Sequence, residues 1–344
     1  MEVKDLIYKQ RTLRPYKAFI SPDFKAKSVL ASSHWDFVEL FLKRESTDDS
    51  LFYWRQAKAF YEAALNLPTE SSPLTLYYCF LNAGKALLEC KGQLYSKRHG
   101  VSGDSNAGNK NLKNEIISYK SSGIASALGR YFQDDVIEGN FSMWALLYNL
   151  AFVHRAFNLS YPTESIELFT PIKNLRFVLS DFQHYGWFVA ETYKSYESKH
   201  TLNKLSGIGF RTDGQQEKFA IRFEKKFKWY HQGVKKDNNL KRLSNYQDKF
   251  RKHLAYIYGD HTLWYIKRTG VNNLINKHPV TIIFGLMHRL SELARYEPLT
   301  LNGHFKLRQN WLLTEFINGA ADQFIDMIGC EITNSNIMRP SIRK

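Results

Sequence analysis

Three places in this chain set histidine, arginine and acidic side chains at spacings that would let them act together. In the run PVTIIFGLMHRLSELARYEP, His288, Glu292 and Arg295 recur at i, i+4 and i+7, so a helix would carry all three on one side. An imidazole beside a carboxylate can exchange a proton, and a neighbouring guanidinium can hold an anion. The spacing therefore fits a small acid–base or phosphate-binding group. The same residues also make an ordinary polar helix face with an i, i+4 interaction. The second place is YSKRHG, where Arg98 and His99 are adjacent in a polar stretch after an apolar run. Guanidinium binds phosphate bidentately and imidazole shuttles protons, while a plain exposed loop carries such residues equally well. Arg98, His99, His288, Glu292 and Arg295 are the candidate catalytic residues.

The third place is larger. Between Lys199 and Lys252 there are 15 Lys and Arg against 5 Asp and Glu, in a chain whose net charge is +15. The surplus is local, which favours a basic surface over a uniform bias. Lys218, Arg222, Lys225, Lys226, Lys228, Lys235, Lys236, Lys241 and Arg242 are its candidate phosphate contacts, since cations that neutralise a nucleic-acid backbone supply affinity. Phe219, Phe223, Phe227, Trp229 and Tyr230 are interleaved with them and have faces on which unpaired bases could stack. The alternation of Phe219, Ile221 and Phe223 also fits a strand whose rings enter the core. Glu315, Asp322, Asp326 and Glu331 offer carboxylates for Mg²⁺ or simply a solvated acidic face. No Walker A loop, GxGxxG after a strand, GxSxG elbow or HExxH is present, and the three cysteines stand in no ligand spacing. No metal and no cofactor are expected.

The elements that must position these residues read as helices, then strands, then helices. WDFVELFLKR follows a capping Ser33, and Asp48, Asp49 and Ser50 open a helix through about Leu67. SPLTLYYCFLNAGKALLECKG is well punctuated, with Ser72 and Pro73 at its start and Gly92 as its stop. Ser142 caps MWALLYNLAFVHRAFNL as a further helix. From Ser165 to about Gln232, short alternating runs such as LRFVLSDF, WFVAETYKSY and KFAIRFEKKFKWY predict a meander of strands. Two long helices over 279–333 complete the chain. We divide it into a 1–48 arm with a short helix, a 49–160 helical region, a 161–255 basic β-rich insertion and a 256–344 helical region that completes the bundle. Lacking an apolar leader or a span-length apolar run, the chain is expected in the cytoplasm and off the membrane.

SPLTLYYCFLNAGKALL with the following HG, LMHRLSELARYEP, and WLLTEFINGAADQFIDMIGCEIT resemble, in that order, the bacterial YaaC-like family, which implies little chemistry by itself. YYCFLNAGKALLECKG and its Lys97-Arg98-His99-Gly100 loop are similar to the helix–loop of HEPN domains, helical bundles that bind nucleotides or cut RNA. The HEPN ribonuclease pattern, an Arg, four to six residues and a His, occurs nowhere in the chain.

The expected fold is therefore α+β: a mostly helical HEPN-like bundle, its N- and C-terminal helices packed together, with an inserted antiparallel β region. The expected function is nucleic-acid binding, RNA rather than DNA, as a divergent nuclease or a component of an antiphage or stress system. The alternative is a non-enzymatic protein–protein interaction module or a scaffold subunit of a larger complex; besides nucleic acid, the expected partners are a protein encoded nearby and a second copy of the chain in a homo-oligomer.

Overall fold

The computed structural model describes residues 3–20, 22–108, 110–164, 166–180, 184–193, 196, 205, 207–212 and 220–340. The chain folds as two compact units, one of residues 1–30, 168–272 and 334–344, the other of residues 31–167 and 273–333.

The first unit is built on an eight-stranded antiparallel sheet curled into half a barrel. Its long central hairpin pairs Phe169–Ser180 with Tyr185–Thr192, and a bulge between Lys173 and Arg176 bends it. Ala220–Phe223 extends the sheet on one side, and Leu263–Lys267 with Leu254–Ile257 on the other. The first strand, Val3–Asp5, pairs with Val178–Ser180. One face of the sheet is filled with rings: Phe177, Phe188, Phe210, Phe223 and Phe227 pack on Tyr246 and Phe250 of the Asn239–Arg251 helix. Leu6, Leu13, Tyr16 and Phe24 belong to the same core.

This overturns the expectation of a mostly helical HEPN-like bundle with a β insertion. The chain is 45% helical and 20% strand, and its large sheet is a unit in its own right. The reason is long-range pairing. Residues 3–5 and 254–267 are short runs with little periodicity of their own, and they become strands by bonding to partners far along the chain.

The second unit is helical around a three-stranded antiparallel sheet of Val101–Ser105, Glu115–Tyr119 and Gly139–Ser142. Its centre is the Ser72–Cys90 helix. Phe80 stacks on Phe324 of the Asn310–Thr333 helix at 4.3 Å, and Tyr77 meets Phe284 of the Pro279–Tyr296 helix at 5.5 Å. Gly285 lets the latter helix lie against the sheet, because a β-carbon there would overlap the ring of Tyr119, whose hydroxyl donates to the Thr281 carbonyl at 3.0 Å. Ser33, Thr47 and Ser142 each cap a helix with their side-chain oxygens. The expected helix after Ser142 breaks: Met143–Tyr148 ends at Asn149, a 3₁₀ turn follows, and His154–Ser160 resumes. Asn149 is responsible, since its side chain accepts from Ile275 N–H and donates to Ala145 and Asn273 carbonyls instead of continuing the turn. Among the described residues no helix is long and apolar enough to cross a membrane.

Candidate functional site

In the helical unit, residues far apart in sequence meet around one phenol. Tyr77 projects from the Ser72–Cys90 helix, and its hydroxyl is hydrogen-bonded to His99 Nδ1. The His288 ring stands edge-on to Tyr77, centroids 4.8 Å apart, and lies 5.6 Å from the His99 ring. One helical turn on, Glu292 Oε2 is 3.6 Å from His288 Nδ1.

Glycines hold His99 in place. Gly100 has φ +77° and Gly123 has φ +120°, and their backbones touch closely enough that a β-carbon on either would strike the other strand of chain. This contact lets the Arg98 and His99 carbonyls accept from the Ile124 and Ala125 N–H groups, the otherwise unsatisfied donors at the start of the Ile124–Tyr131 helix. The dipeptide His-Gly thus has a backbone reason for its glycine and leaves the imidazole exposed.

The electrostatics differ sharply between the two imidazoles. His288 is buried, and burial, with the charges of His99, Arg295 and Arg289, pushes its pKa down to about 3. It is neutral across the physiological range, and its Nδ1 has no hydrogen-bond partner. His99 is exposed, yet desolvation by the surrounding protein and then the charges of Arg295 and Lys85 also lower it below the ordinary imidazole range. Burial raises the Tyr77 phenol far above its usual value, so it keeps its proton. Burial raises the Glu292 carboxyl as well, opposed by the Gly103 N–H and by Arg289. Phenol and imidazole can exchange donor and acceptor roles. When the phenol donates to Nδ1, His99 carries its proton on Nε2 and can donate to an anion. When Nδ1–H donates to the phenol, the Nε2 lone pair is a base.

Beside this group lies a second, fully bonded one. Arg289 donates from Nε and Nη2 to Glu115 Oε2 at 3.0 and 2.7 Å, and to Ser105 Oγ at 2.6 Å. His304 Nε2 lies 3.0 Å from Glu115 Oε1. Burial alone would raise the Glu115 carboxyl, but the hydrogen bonds from His304 and Arg289 outweigh it and hold the carboxyl below its ordinary range. Gly103 lets the two groups meet: a β-carbon there would overlap both Arg289 and Glu292, whose Nη1 and Oε2 lie 3.6 Å apart.

Of the candidate catalytic residues, His99, His288 and Glu292 are drawn together. Arg295 is exposed, with its guanidinium 4.8 Å from the Tyr296 ring, and its charge acts on His99, His288, Tyr77 and Glu292. The Arg98 side chain is exposed beside His99. Tyr77, Lys85, Gly103, Glu115 and His304 were not among the candidates. Tyr77 reads as one more residue of an apolar stripe, and the only hint in the sequence is that a buried phenol needs a partner.

The acidic residues are dispersed. Asp326 pairs with His34 at 2.9 Å, while Asp322, Glu331 and Glu315 accept from Tyr61, Tyr131 and Trp311 respectively. Among the described residues no three His, Cys, Asp or Glu side chains gather as metal ligands would.

In the sheet unit, Lys225, Lys226, Lys228, Lys235, Lys236 and Lys241 are exposed, while Arg222 and Arg242 are partly covered. Lys218 and Phe219 lie outside the described residues. Phe223, Phe227 and Trp229 are buried, which removes them from any contact with bases. Two accessible rings lie beside these cations: Tyr185, beneath Lys228, and Tyr230, beneath Arg242 at 4.8 Å and Lys235 at 5.6 Å. His184 stacks on Tyr230.

The family model for YaaC-like Protein matches residues 19–332. The chain belongs to the YaaC-like family. The match runs through both units, and in this YaaC-like chain it includes every residue of the Tyr77 group and the six exposed lysines of residues 225–241. No curated protein and no solved structure matches the chain.

Proposed function

We propose that this YaaC-like protein binds single-stranded RNA and acts on its phosphodiester bonds at the Tyr77–His99–His288–Glu292 group. The observation that carries the reading is the convergence on Tyr77 of an exposed imidazole, a buried neutral imidazole and a carboxylate, next to Arg98 and Arg295, which form no ion pair among the described residues. His99 is the acid–base residue, and Arg98 and Arg295 hold phosphate oxygens, which suits guanidinium geometry. His288 and Tyr77 are positioning residues that fix the His99 ring. The row Lys225, Lys226, Lys228, Lys235, Lys236 and Lys241 supports backbone binding, with Tyr185 and Tyr230 as stacking faces. Three free cysteines suit a reducing cytoplasm.

The test is direct. Wild-type protein binds a labelled single-stranded RNA with an affinity that falls steeply between low and physiological salt. His99→Ala retains binding but loses cleavage by roughly 10²–10⁴-fold, the usual worth of a positioned acid or base. Because the His99 pKa is lowered, cleavage by the base form is lost only as pH falls below about 6.5. RNA that stays uncleaved by wild type, or is cleaved equally by the variant, removes the catalytic reading. A second reading, a protein-interaction module, draws on the exposed apolar side chains Tyr296, Leu299 and Trp311 in the 296–311 segment. It predicts a defined co-purifying partner that is lost on Leu299→Asp, with no turnover of RNA.

A further inference from the structure

The sheet unit contains a cleft of about 820 Å³ that the RNA reading does not use. Its walls are the tight hairpin of Ile7–Tyr8 and Arg11–Thr12, the segments 13–17 and 27–28, the bulged strand at 172–175, and residues 260–264. That volume suits a small-molecule ligand.

The cations of this cleft divide by role. Arg11 is spent on the walls: its guanidinium donates to the carbonyls of Phe24, Lys25 and Ala26 and to the Tyr16 hydroxyl, tying the 24–28 loop to the hairpin. Lys17 is buried, with its ammonium on the Ile337 carbonyl at 2.7 Å. Lys9, Arg14 and Lys27 are different. All three are exposed at the cleft, and none has a carboxylate within ion-pair distance among the described residues. Asp260, the one acidic residue of the lining, faces Arg339 at 3.8 Å. A concave surface lined by one sign of charge focuses its field on an oppositely charged ligand. Lys9 and Gln10 have φ +46° and +64°, as a two-residue hairpin turn between paired Tyr8 and Arg11 requires, and both side chains line the cleft. Tyr193 also lines the cleft, 43% exposed, with the ammonium of Lys173 (paired with Glu191 at 4.0 Å) 5.3 Å from its ring, and Trp264 is half-buried.

We propose that this cleft binds a free nucleotide, with its phosphates on Lys9, Arg14 and Lys27 and its base against Tyr193 and Trp264. The site is distinct from the exposed lysine row in residues 225–241 and does not rest on the RNA reading.

Isothermal titration calorimetry on the full chain tests it with three probes: ATP, inorganic tripolyphosphate and adenosine. ATP and tripolyphosphate bind saturably and adenosine far more weakly. The double variant Arg14→Glu/Lys27→Glu, at two exposed positions, weakens both at least tenfold, while Tyr193→Ala weakens ATP and leaves tripolyphosphate unchanged. Lys225→Glu/Lys228→Glu weakens RNA and leaves ATP as it was, which separates this site from the RNA surface. No saturable binding of ATP or tripolyphosphate overturns the proposal, as does equal binding by the Arg14/Lys27 variant, whether or not RNA binds.

Discussion

Two charged groups share the Pro279–Tyr296 helix, and the fold treats them in opposite ways. Arg289 is buried, yet three oxygens from Glu115, Ser105 and Glu297 accept its protons, and Glu115 is completed by His304. His288, the residue before it, is equally buried, but its Nδ1 has no hydrogen bond and stands 3.6 Å from a Glu292 oxygen that also lies 3.6 Å from Arg289 Nη1. Leaving a buried polar atom unpaired is costly, and folds usually avoid it. The contrast is that the first group fastens helix to sheet, while the second leaves an imidazole nitrogen unbonded in the protein interior, as the proposed function would use it.

Breaking the fastened group has the largest expected effect. Arg289→Met strands the Glu115 carboxylate and His304 in a buried setting, and removing one member of a buried pair costs about 3–5 kcal/mol. Urea denaturation measures it, and a loss under 1 kcal/mol would show that the bonded group is not a fastener. Gly103→Ala comes next. Its β-carbon must displace Arg289 and Glu292 together, and overpacking of this kind costs about 1–3 kcal/mol. On the proposed function it should also reduce RNA cleavage, because Glu292 moves. A variant that keeps stability while losing cleavage would place the strain on the unbonded side alone.

The pH dependence sharpens the same contrast. The folded-state pKa of Glu115 lies below its unfolded value of about 4.3, so its contribution is fully present above that pH. It disappears as pH falls through the lower folded value. The stability gap between wild type and Glu115→Gln should therefore close under acid conditions. Asp134 behaves oppositely. Burial raises it to about 6, its Lys277 partner at 3.6 Å notwithstanding, so its contribution is present below about 4 and fades as pH rises through 6. Denaturation at a series of pH values, in wild type and Asp134→Asn, separates the two.

How much of this was legible in the sequence depends on the range of the forces involved. Helix starts at Ser33 and Ser142 could be read because a cap is a local interaction. The i, i+4, i+7 spacing likewise put His288 and Glu292 on one face without knowledge of the partner. The half-barrel could not be read, because Val3–Asp5 is a strand only through bonds to residues 178–180. Nor could the division between His288 and Arg289. Both stand in LMHRLSE, and what separates them is Glu115, Ser105 and His304, brought from distant segments by the packing of Gly103 and Gly285. Lysines in the basic stretch were recognisable as surface, but the fate of Phe227 and Trp229 was not, since interleaved rings look alike whether they face solvent or a core.

The smallest expected effect on stability is the most discriminating. His288→Leu replaces a buried ring of comparable volume and removes a nitrogen that has no hydrogen bond, so the fold loses packing against Tyr77 and regains a desolvation cost. These terms nearly cancel, and the net change in unfolding free energy should stay within about 1 kcal/mol. If the proposed function holds, cleavage should nonetheless fall roughly 10²-fold, the lower end of what a positioned acid–base system contributes, because the His99 ring loses one of its supports. The two readouts must diverge. If His288→Leu destabilises the protein as much as Arg289→Met, His288 is a fastener as well, and its unpaired nitrogen has no bearing on function. If stability and cleavage are both unchanged, the buried imidazole is a bystander and His99 acts without it.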